Sequence, residues 1–426
     1  MSRTSPVWHP FTQHGLSETI PHIVSAQGAV LECDNGQSLI DAISSWWVIT
    51  HGHCHPRIVQ AIRDQAATLD QVIFAGYTHD PAEDVARQLI DLTNQHLPGA
   101  NPLSHVFFSD SGSTAVEVAL KMALGYWHHR GEARHRILVL EHGYHGDTIG
   151  TMSVGERGVF NRPYAPLLFD VESIVFPLVG REQATLDALE AACRAPEKPA
   201  AFIAEPLIVG AGGMLIYGAD VLRQMAKICA RHEVLFIADE VMTAWGRTGT
   251  LFACEQAGVT PDILCLAKGL TGGSLPLAAT LARQKIFAAH FSDDRAKMFF
   301  HSSSFTANPI ACAAARANFA IWAEEDVTGR IAALSVYMAQ RLAQLAQHSS
   351  LENPRQLGTI AAIDLRSEQG GYMAQVAPAL RAFFLDAGMV LRPLGNSIYV
   401  MPPYCTTSDQ IDVIFDAIEA AADKFG

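Results

Sequence analysis

The sequence predicts an α/β fold, with a large domain built on a mostly parallel sheet and a smaller α+β domain beside it. Three observations carry that reading. The middle of the chain alternates short apolar runs with helix-patterned stretches, two of those runs end abruptly on a charged side chain, and from about residue 328 the alternation gives way to long helices and short strands. At 426 residues, 49% of them hydrophobic, the chain is long enough for two cores. The expected units are an N-terminal segment over 1–50 that joins the smaller domain, a large domain over 51–325, and the smaller domain over 326–426.

The elements follow in order. After an irregular start containing proline, the glycine-punctuated stretch 21–50 has short apolar runs suited to hairpin strands. Helix patterns run from Pro56 to about Leu69 and from Pro81 to about Leu92. Strands are expected at HVFFS (105–109), RILVLE (136–141), AAFIAE (200–205), VLFIAD (234–239), DILCLA (262–267) and PLAATLA (276–282). Apolar runs of that length, bounded by glycine or polar residues, read as buried strands. Helices from Ser113 to about His129 and from Asp220 to about His232 lie between some of them, which favours helices on both sheet faces. The last quarter begins with a helix over about 328–347, then LGTIAAIDL (357–365). A helix from about Met373, two short strands and an amphipathic helix from Ser408 complete it.

Net charge is −13, spread without acidic blocks and without a basic stripe, which argues against nucleic acid as the main partner and says little about a small substrate, since a site can be locally basic on an acidic protein. Eight cysteines are scattered with no CxxC and no zinc spacing, so no metal site is expected. Cys229 and Cys265 sit in apolar runs and read as small buried hydrophobes. The N-terminus MSRTSPVWHPFTQ lacks the apolar core of a signal peptide. The long uncharged run Met298–Ala315 is broken by His, Ser, Thr, Asn and Pro, so no membrane span is expected and the cytoplasm is the expected compartment.

The chemistry is concentrated in LFIADEV (235–241) and DILCLAKGLTGG (262–273), which carry Asp239 and Lys268. Ligands of open α/β sheets collect just beyond the carboxyl ends of the strands. A carboxylate and an amine delivered there suggest pyridoxal phosphate, with the lysine as Schiff base and the acid on the ring nitrogen. Singly, Asp239 reads equally well as a helix cap and Lys268 as a strand-end residue turned to solvent. Together they are hard to excuse as packing, because a buried charge must be paired or neutralised.

DSGSTAVEVAL (110–120) follows a strand and opens a helix, so Ser111, Gly112 and Ser113 stand where free amides and the helix dipole favour an anion. The competing reading is an ordinary cap made by Ser113 or Thr114, with Glu117 nearby. In EHGYHGDTIG (141–150), Tyr144 is the candidate to stack on a flat ring, and His145 is either a second such residue or part of a loop hydrogen-bond network. Glu205, before VGAGGM, either joins the polar network near the ring or braces the glycine loop. The fingerprint GxGxxG is not found after the first strand, which disfavours a dinucleotide-binding module.

Taken in order, DSGS, GYHGDT, AEPLIVGAGG, IADEV, WGRTG, AKGLTGG and HSSSFTANP resemble the class III, fold type I pyridoxal-phosphate aminotransferases, over residues from about 40 to 320. Within that family, WHPFTQ (8–13), SSWWVITHGH (44–53) and LRPLGNSIYVMPPY (391–404) resemble the branch that aminates 8-amino-7-oxononanoate in biotin synthesis. The resemblance implies that Lys268 holds the cofactor covalently and shuttles a proton, and that Asp239 keeps the ring nitrogen protonated. It implies that Gly112 and Ser113 bind the phosphate, while Tyr144 stacks on the ring and borders the substrate. Ser303 and Ser304 are implied to complete the phosphate site of a neighbouring subunit, making a homodimer with shared active sites, and Ser302 to line the substrate pocket. Trp46 is implied to wall the substrate chain and Arg392 to bind the substrate carboxylate, a match for the guanidinium fork. The implied amino donor is S-adenosylmethionine, with lysine in some relatives.

Two departures stand out. Phe11 occupies a position where some members carry tyrosine, removing a hydroxyl near the cofactor or substrate, and HSSSFTANP lacks the glycine–proline–threonine form of some relatives. Trp46 and Trp47, read as strand neighbours, are expected to face opposite ways, so that at most one lines the pocket, Trp46 by the resemblance, with core packing the competing reading for both. Arg247 in WGRTG reads equally as a loop-bracing or surface salt bridge and as a catalytic part. The Lys268 amine is expected to be depressed by a cationic neighbourhood.

Overall fold

The computed structural model describes residues 5–426 apart from 17, 98, 368–373 and 375. Near the N-terminus β1 (Ile23–Gln27), β2 (Val30–Cys33) and β3 (Ser38–Asp41) form an antiparallel meander. The middle of the chain supplies β4 (Leu103–Ser109), β5 (Ile137–Leu140), β6 (Glu172–Ile174), β7 (Ala201–Ala204), a small hairpin of β8 (Ile208–Val209) and β9 (Leu215–Ile216), then β10 (Leu235–Asp239), β11 (Ile263–Leu266) and β12 (Ala278–Arg283). Hairpin apart, these strands make one sheet in the order β4-β12-β11-β10-β7-β5-β6.

Strands β11, β10, β7, β5 and β6 pair in parallel, and β12 runs antiparallel to both of its neighbours. The physical reason for the exception lies in the β11–β12 connection, which holds only the short turn Lys268–Thr271. A parallel return needs a crossover of a dozen or more residues, usually a helix. Every residue of β5, β7, β10 and β11 is buried, as strands covered on both faces must be. Alternate residues of the same strands serve two cores: Phe202, Phe236 and Ala238 on one face, Ile203, Ile237 and Cys265 on the other against helix Gly112–His129.

The C-terminal part adds β13 (Leu351–Leu357), β14 (Ile360–Leu365), β15 (Met389–Val390) and β16 (Ser397–Val400). Strands β13, β14 and β16 form an antiparallel sheet, whereas β15 joins the N-terminal meander by pairing in parallel with β3. A core of Ile331, Met338, Leu380, Phe384, Ile411 and Phe415 draws in Ala42 and Ile58 from the first part of the chain.

Several expectations need correction. Helix Pro309–Glu324, helix Glu182–Arg194 and strand β6 are present where no element was expected. The expected helix start near Met373 lies outside the described residues, and the described helix there is Ala377–Asp386. The tryptophan pair is not on a strand: Ser44–Trp47 is one tight turn, with Ser44 (φ 53°), Ser45 (φ 60°) and Trp47 (φ 66°) all left-handed. Among the described residues no helix is long and apolar enough to cross a membrane, and no group of three or more His, Cys, Asp or Glu could hold a metal ion.

Candidate active site

Strands β10 and β11 are parallel neighbours, with Asp239 opposite Cys265 in the register. Asp239 is the last residue of β10, and Lys268 comes two residues after β11 ends at Leu266. Both therefore stand at the carboxyl edge of the sheet, where they line one cavity of about 390 Å³. Gly112, Ser113, Tyr144 and Glu205 line it as well. Trp47 and His145 are also in its wall, the first of which sequence reasoning had given no preference.

Asp239 is fixed from two sides. Its Oδ1 accepts from the Val241 amide at 3.1 Å, and its Oδ2 lies 2.7 Å from His145 Nδ1. Both side chains are buried, and the second ring nitrogen of His145, Nε2, is buried without a hydrogen-bond partner among the described residues. Burial alone depresses an imidazole, but the hydrogen bond and charge of Asp239, helped by Glu205, leave His145 raised. Glu205 performs both of the roles that the sequence left open. It lines the cavity, and its two oxygens accept from the Tyr144 amide at 2.9 Å and the Gly210 amide at 3.1 Å. Burial pushes its carboxyl up to about 7, with His145 pulling the other way and Asp239 adding to the rise.

The Lys268 ammonium lies 4.6 Å from the centre of the Trp47 ring. Burial lowers it to about 8, against the raising charges of Asp239 and Glu205, and Arg247 lowers it further. Desolvation, rather than a cationic neighbourhood, is thus the leading cause, with Arg247 contributing a smaller lowering. Arg247 itself is buried and forms no salt bridge among the described residues. It braces two loops through carbonyls, donating to Ile49 at 2.7 Å and Pro402 at 3.0 Å.

At the other end of the cavity, helix Gly112–His129 is capped by Ser111, not by Ser113 or Thr114. The Ser111 hydroxyl accepts from the Thr114 amide, and the Thr114 hydroxyl accepts from the Ser111 amide at 2.9 Å. Gly112 and Ser113 take no part in that cap, and Ser113 Oγ accepts from the Asp147 amide at 3.4 Å. A Cβ on Gly112 would come within 2.6 Å of Val241, so the helix start needs glycine there. A free helix N-terminus and hydroxyl for a phosphate, an acid for a ring nitrogen, an orphaned buried imidazole nitrogen and an amine with a lowered pKa together fit pyridoxal phosphate.

The rim is built by the parallel pairing of β15 with β3, which sets Val390 opposite Asp41. Two residues beyond Val390 comes Arg392, and five beyond Asp41 comes Trp46, so both reach the same edge. The Arg392 guanidinium lies 5.6 Å from the Trp46 ring and donates to the Phe11 carbonyl at 2.8 Å. Phe11 packs edge-on against Trp46 at 5.5 Å and Phe160 at 6.1 Å. Asp41 holds the strained turn in place, accepting from the Ser45 amide at 2.7 Å and lying 2.8 Å from His53 Nε2. The two indoles do part company, although not by strand alternation. Trp46 is 41% exposed at the rim, whereas Trp47 is buried, lines the cavity and donates to the Tyr399 hydroxyl at 2.9 Å.

Phe11, Trp46 and Arg392 stand outside the inner cavity wall. Ser302, Ser303 and Ser304 also lie away from it, in the loop ahead of helix Pro309–Glu324. Ser303 Oγ accepts from the Phe305 amide at 3.3 Å, and the Ser304 carbonyl accepts from Gln71 at 2.6 Å. Phe160, beside Phe11, is a rim residue that the sequence gave no reason to choose. It lines a second cavity of about 560 Å³ that shares Tyr144 and Gly146 with the first.

Comparison with known proteins gives the family. The class III aminotransferase family model matches residues 12–422. The adenosylmethionine-8-amino-7-oxononanoate aminotransferase of Synechococcus elongatus is 46% identical, covering 98% of both chains. The protein of the same name from Geobacter sulfurreducens is 35% identical over 97% of this chain and 94% of that one. Among solved structures, the adenosylmethionine-8-amino-7-oxononanoate aminotransferase of Methanocaldococcus jannaschii superposes with a TM-score of 0.93 at 32% identity, covering 98% of this chain and 97% of that one. An amine transaminase from an uncultivated Pseudomonas species, solved with PLP bound, gives the same TM-score and identity over 100% of both chains. With a fold type I architecture and a cavity suited to pyridoxal phosphate, its cofactor, the chain belongs to the class III aminotransferase family.

Proposed function

We propose that the protein transfers the amino group of S-adenosylmethionine to 8-amino-7-oxononanoate, giving 7,8-diaminononanoate for biotin synthesis. The observation that carries this choice within the family is the rim. Arg392 offers its charge beside an aromatic wall of Phe11 and Trp46, and the nearby acid Glu18 is taken up by Arg381. A nine-carbon amino-keto acid needs an apolar trough with one anchor for its carboxylate. The names of the relatives in Synechococcus and Geobacter support the same reading.

Bound pyridoxal phosphate supplies an electron sink and a carrier for the amino group. Lys268 anchors it and, once released, moves the proton lost from the donor carbon. Asp239, held by His145, keeps a proton on the ring nitrogen. Gly112 and Ser113 take the phosphate at the helix N-terminus, Tyr144 flanks the ring and borders the substrate, and Trp47 excludes water above the amine. Arg392 binds the acceptor carboxylate, Trp46 and Phe11 wall its chain, and Ser302 lines the pocket. Ser303 and Ser304, away from their own cavity, serve the phosphate site of a second copy in a homodimer. The reading includes a cytoplasmic setting, and the division of the chain into 1–50, 51–325 and 326–426.

The test is to give the purified enzyme 8-amino-7-oxononanoate with S-adenosylmethionine, lysine or a simple ω-amine, and to score diaminononanoate. Product with S-adenosylmethionine is expected. Product with lysine alone would change the donor. Amine transfer to other ketones, without use of 8-amino-7-oxononanoate, would favour an amine transaminase like the Pseudomonas neighbour.

A further inference from the structure

We propose that Asn318, with His51 behind it, is the positioning residue for the Lys268 amine. Asn318 lies on helix Pro309–Glu324 and is completely buried. Its Nδ2 donates to the carbonyls of Gly269 at 3.1 Å and Leu270 at 3.0 Å, the two residues that follow Lys268. Its Oδ1 lies 2.8 Å from His51 Nε2. Two carbonyl acceptors fix which way the amide faces, so its oxygen must receive the His51 proton, and that proton must sit on Nε2.

The turn being held needs such a support. Lys268 has φ 45°, a left-handed conformation that a side-chain-bearing residue keeps only when its surroundings impose it. The turn Lys268–Thr271 is too short to stabilise itself, closing with Leu270 to Ala267 and Gly272 to Gly269. Around it the packing is tight. A Cβ on Gly269 would meet Trp245 at 2.9 Å, and one on Gly273 (φ 89°) would meet the Val48 carbonyl at 2.3 Å. The Gly269 carbonyl keeps the Gly272 amide, so it is the Leu270 carbonyl that loses its donor when the Asn318 amide is removed; a buried carbonyl without a donor is costly, and its loss releases the turn and lets the amine leave its place beside Trp47.

His51 is suited to a support that does not switch with pH. Burial holds it down to about 4 in spite of the Asn318 bond, with His55 and Arg330 lowering it and Glu325 raising it. Its Nδ1 is buried without a hydrogen-bond partner among the described residues, as befits a ring that stays neutral. The groups that face the Lys268 amine are Asp239 on β10, Glu205 after β7 and Arg247 in the loop after β10. The Trp47 ring, Tyr144 and His145 share its cavity.

The inference rests on Lys268 being the residue that captures the cofactor aldehyde. The experiment follows covalent capture of pyridoxal phosphate by the cofactor-free protein against pH, by absorbance, then reductive trapping and peptide mapping. A neutral amine is required, so the wild-type rate is expected to rise through about pH 8. In Asn318→Leu the midpoint is expected to move up by about one unit, lowering capture near neutrality about tenfold. His51→Leu is expected to shift it the same way by less, and His51→Gln, which can still donate to the Asn318 oxygen, to restore the wild-type midpoint. Should Asn318→Leu fail to fold, the two His51 variants carry the test. A folded Asn318→Leu with the wild-type midpoint overturns the inference, even if its melting temperature falls, as does a His51→Leu midpoint equal to wild type. Trapping at a residue other than Lys268 would sink the reading of the site and this inference with it.

Discussion

His145 Nδ1 lies 2.7 Å from Asp239 Oδ2, in an imidazole–carboxylate pair closed off from solvent at the carboxyl end of β10. The pair explains how a carboxylate can be kept inside a mostly apolar sheet edge: its charge has a partner and its geometry is fixed by the Val241 amide.

The pair also makes stability depend on pH. The folded pKa of His145 is raised above 6.5, so its stabilising contribution is complete below about pH 6.5 and is lost as pH climbs through the folded value. Asp239→Asn removes the charge that raises it. The imidazole is then expected to titrate lower, or not at all in the folded protein, by NMR of the His145 ring. An unchanged midpoint would show that the pair is not what holds the proton.

Glu205 gives a second dependence on pH. Its folded pKa of about 7, against 4.5 unperturbed, means that it favours folding at low pH and that this contribution is lost as pH rises from 4.5 through 7. A rise of that size corresponds to on the order of 3 kcal/mol. Denaturant unfolding of the cofactor-free protein at about pH 5 and about pH 8 is expected to show Glu205→Gln losing less stability across that interval than wild type. Equal losses would remove Glu205 as the cause.

Lys268→Ala is expected to abolish reductive trapping of pyridoxal phosphate and to lower turnover by about 10²–10⁴ through lost proton transfer alone. Mass spectrometry of the trapped protein and steady-state rates check the two parts separately.

Arg392→Gln is expected to raise the KM for 8-amino-7-oxononanoate by about 10- to 100-fold, the equivalent of one charge-assisted hydrogen bond, with the donor half-reaction unaffected. A KM that stays put would place the carboxylate elsewhere on the rim.

Gly112→Ala brings a Cβ to 2.6 Å from Val241 without disturbing the Ser111 cap. Weaker retention of pyridoxal phosphate on dialysis is expected, and Val241→Ala in the same chain is expected to restore it by clearing the space. No rescue would mean that the methyl obstructs the phosphate itself.

The large sheet was legible because its strands are buried on both faces and so read as unbroken apolar runs, and because charges ended two of them. Helix Pro309–Glu324 was hidden for a related reason. Ala311, Cys312, Ala313, Ala314 and Ala315 are all buried, so its sequence has no polar stripe to mark a period. Strand β13 escaped notice because Pro354 sits within it, at the register irregularity between Glu352 and Arg355. In the site, Lys268, Asp239, Gly112, Ser113 and Tyr144 were legible from their positions at strand ends. The place of Trp47 was not, because three left-handed residues in four overturn any reading from strand periodicity. Asn318 and His51 carry no local signal either, since their meaning lies only in the turn they meet across the fold.

The bond between Arg392 and the Phe11 carbonyl joins residues 381 positions apart. A ribosome delivers the first of them long before the second, and the stretch that bears Lys268 and Asp239 emerges in between. Synthesis therefore delivers the reactive amine before the gateway around it can be assembled.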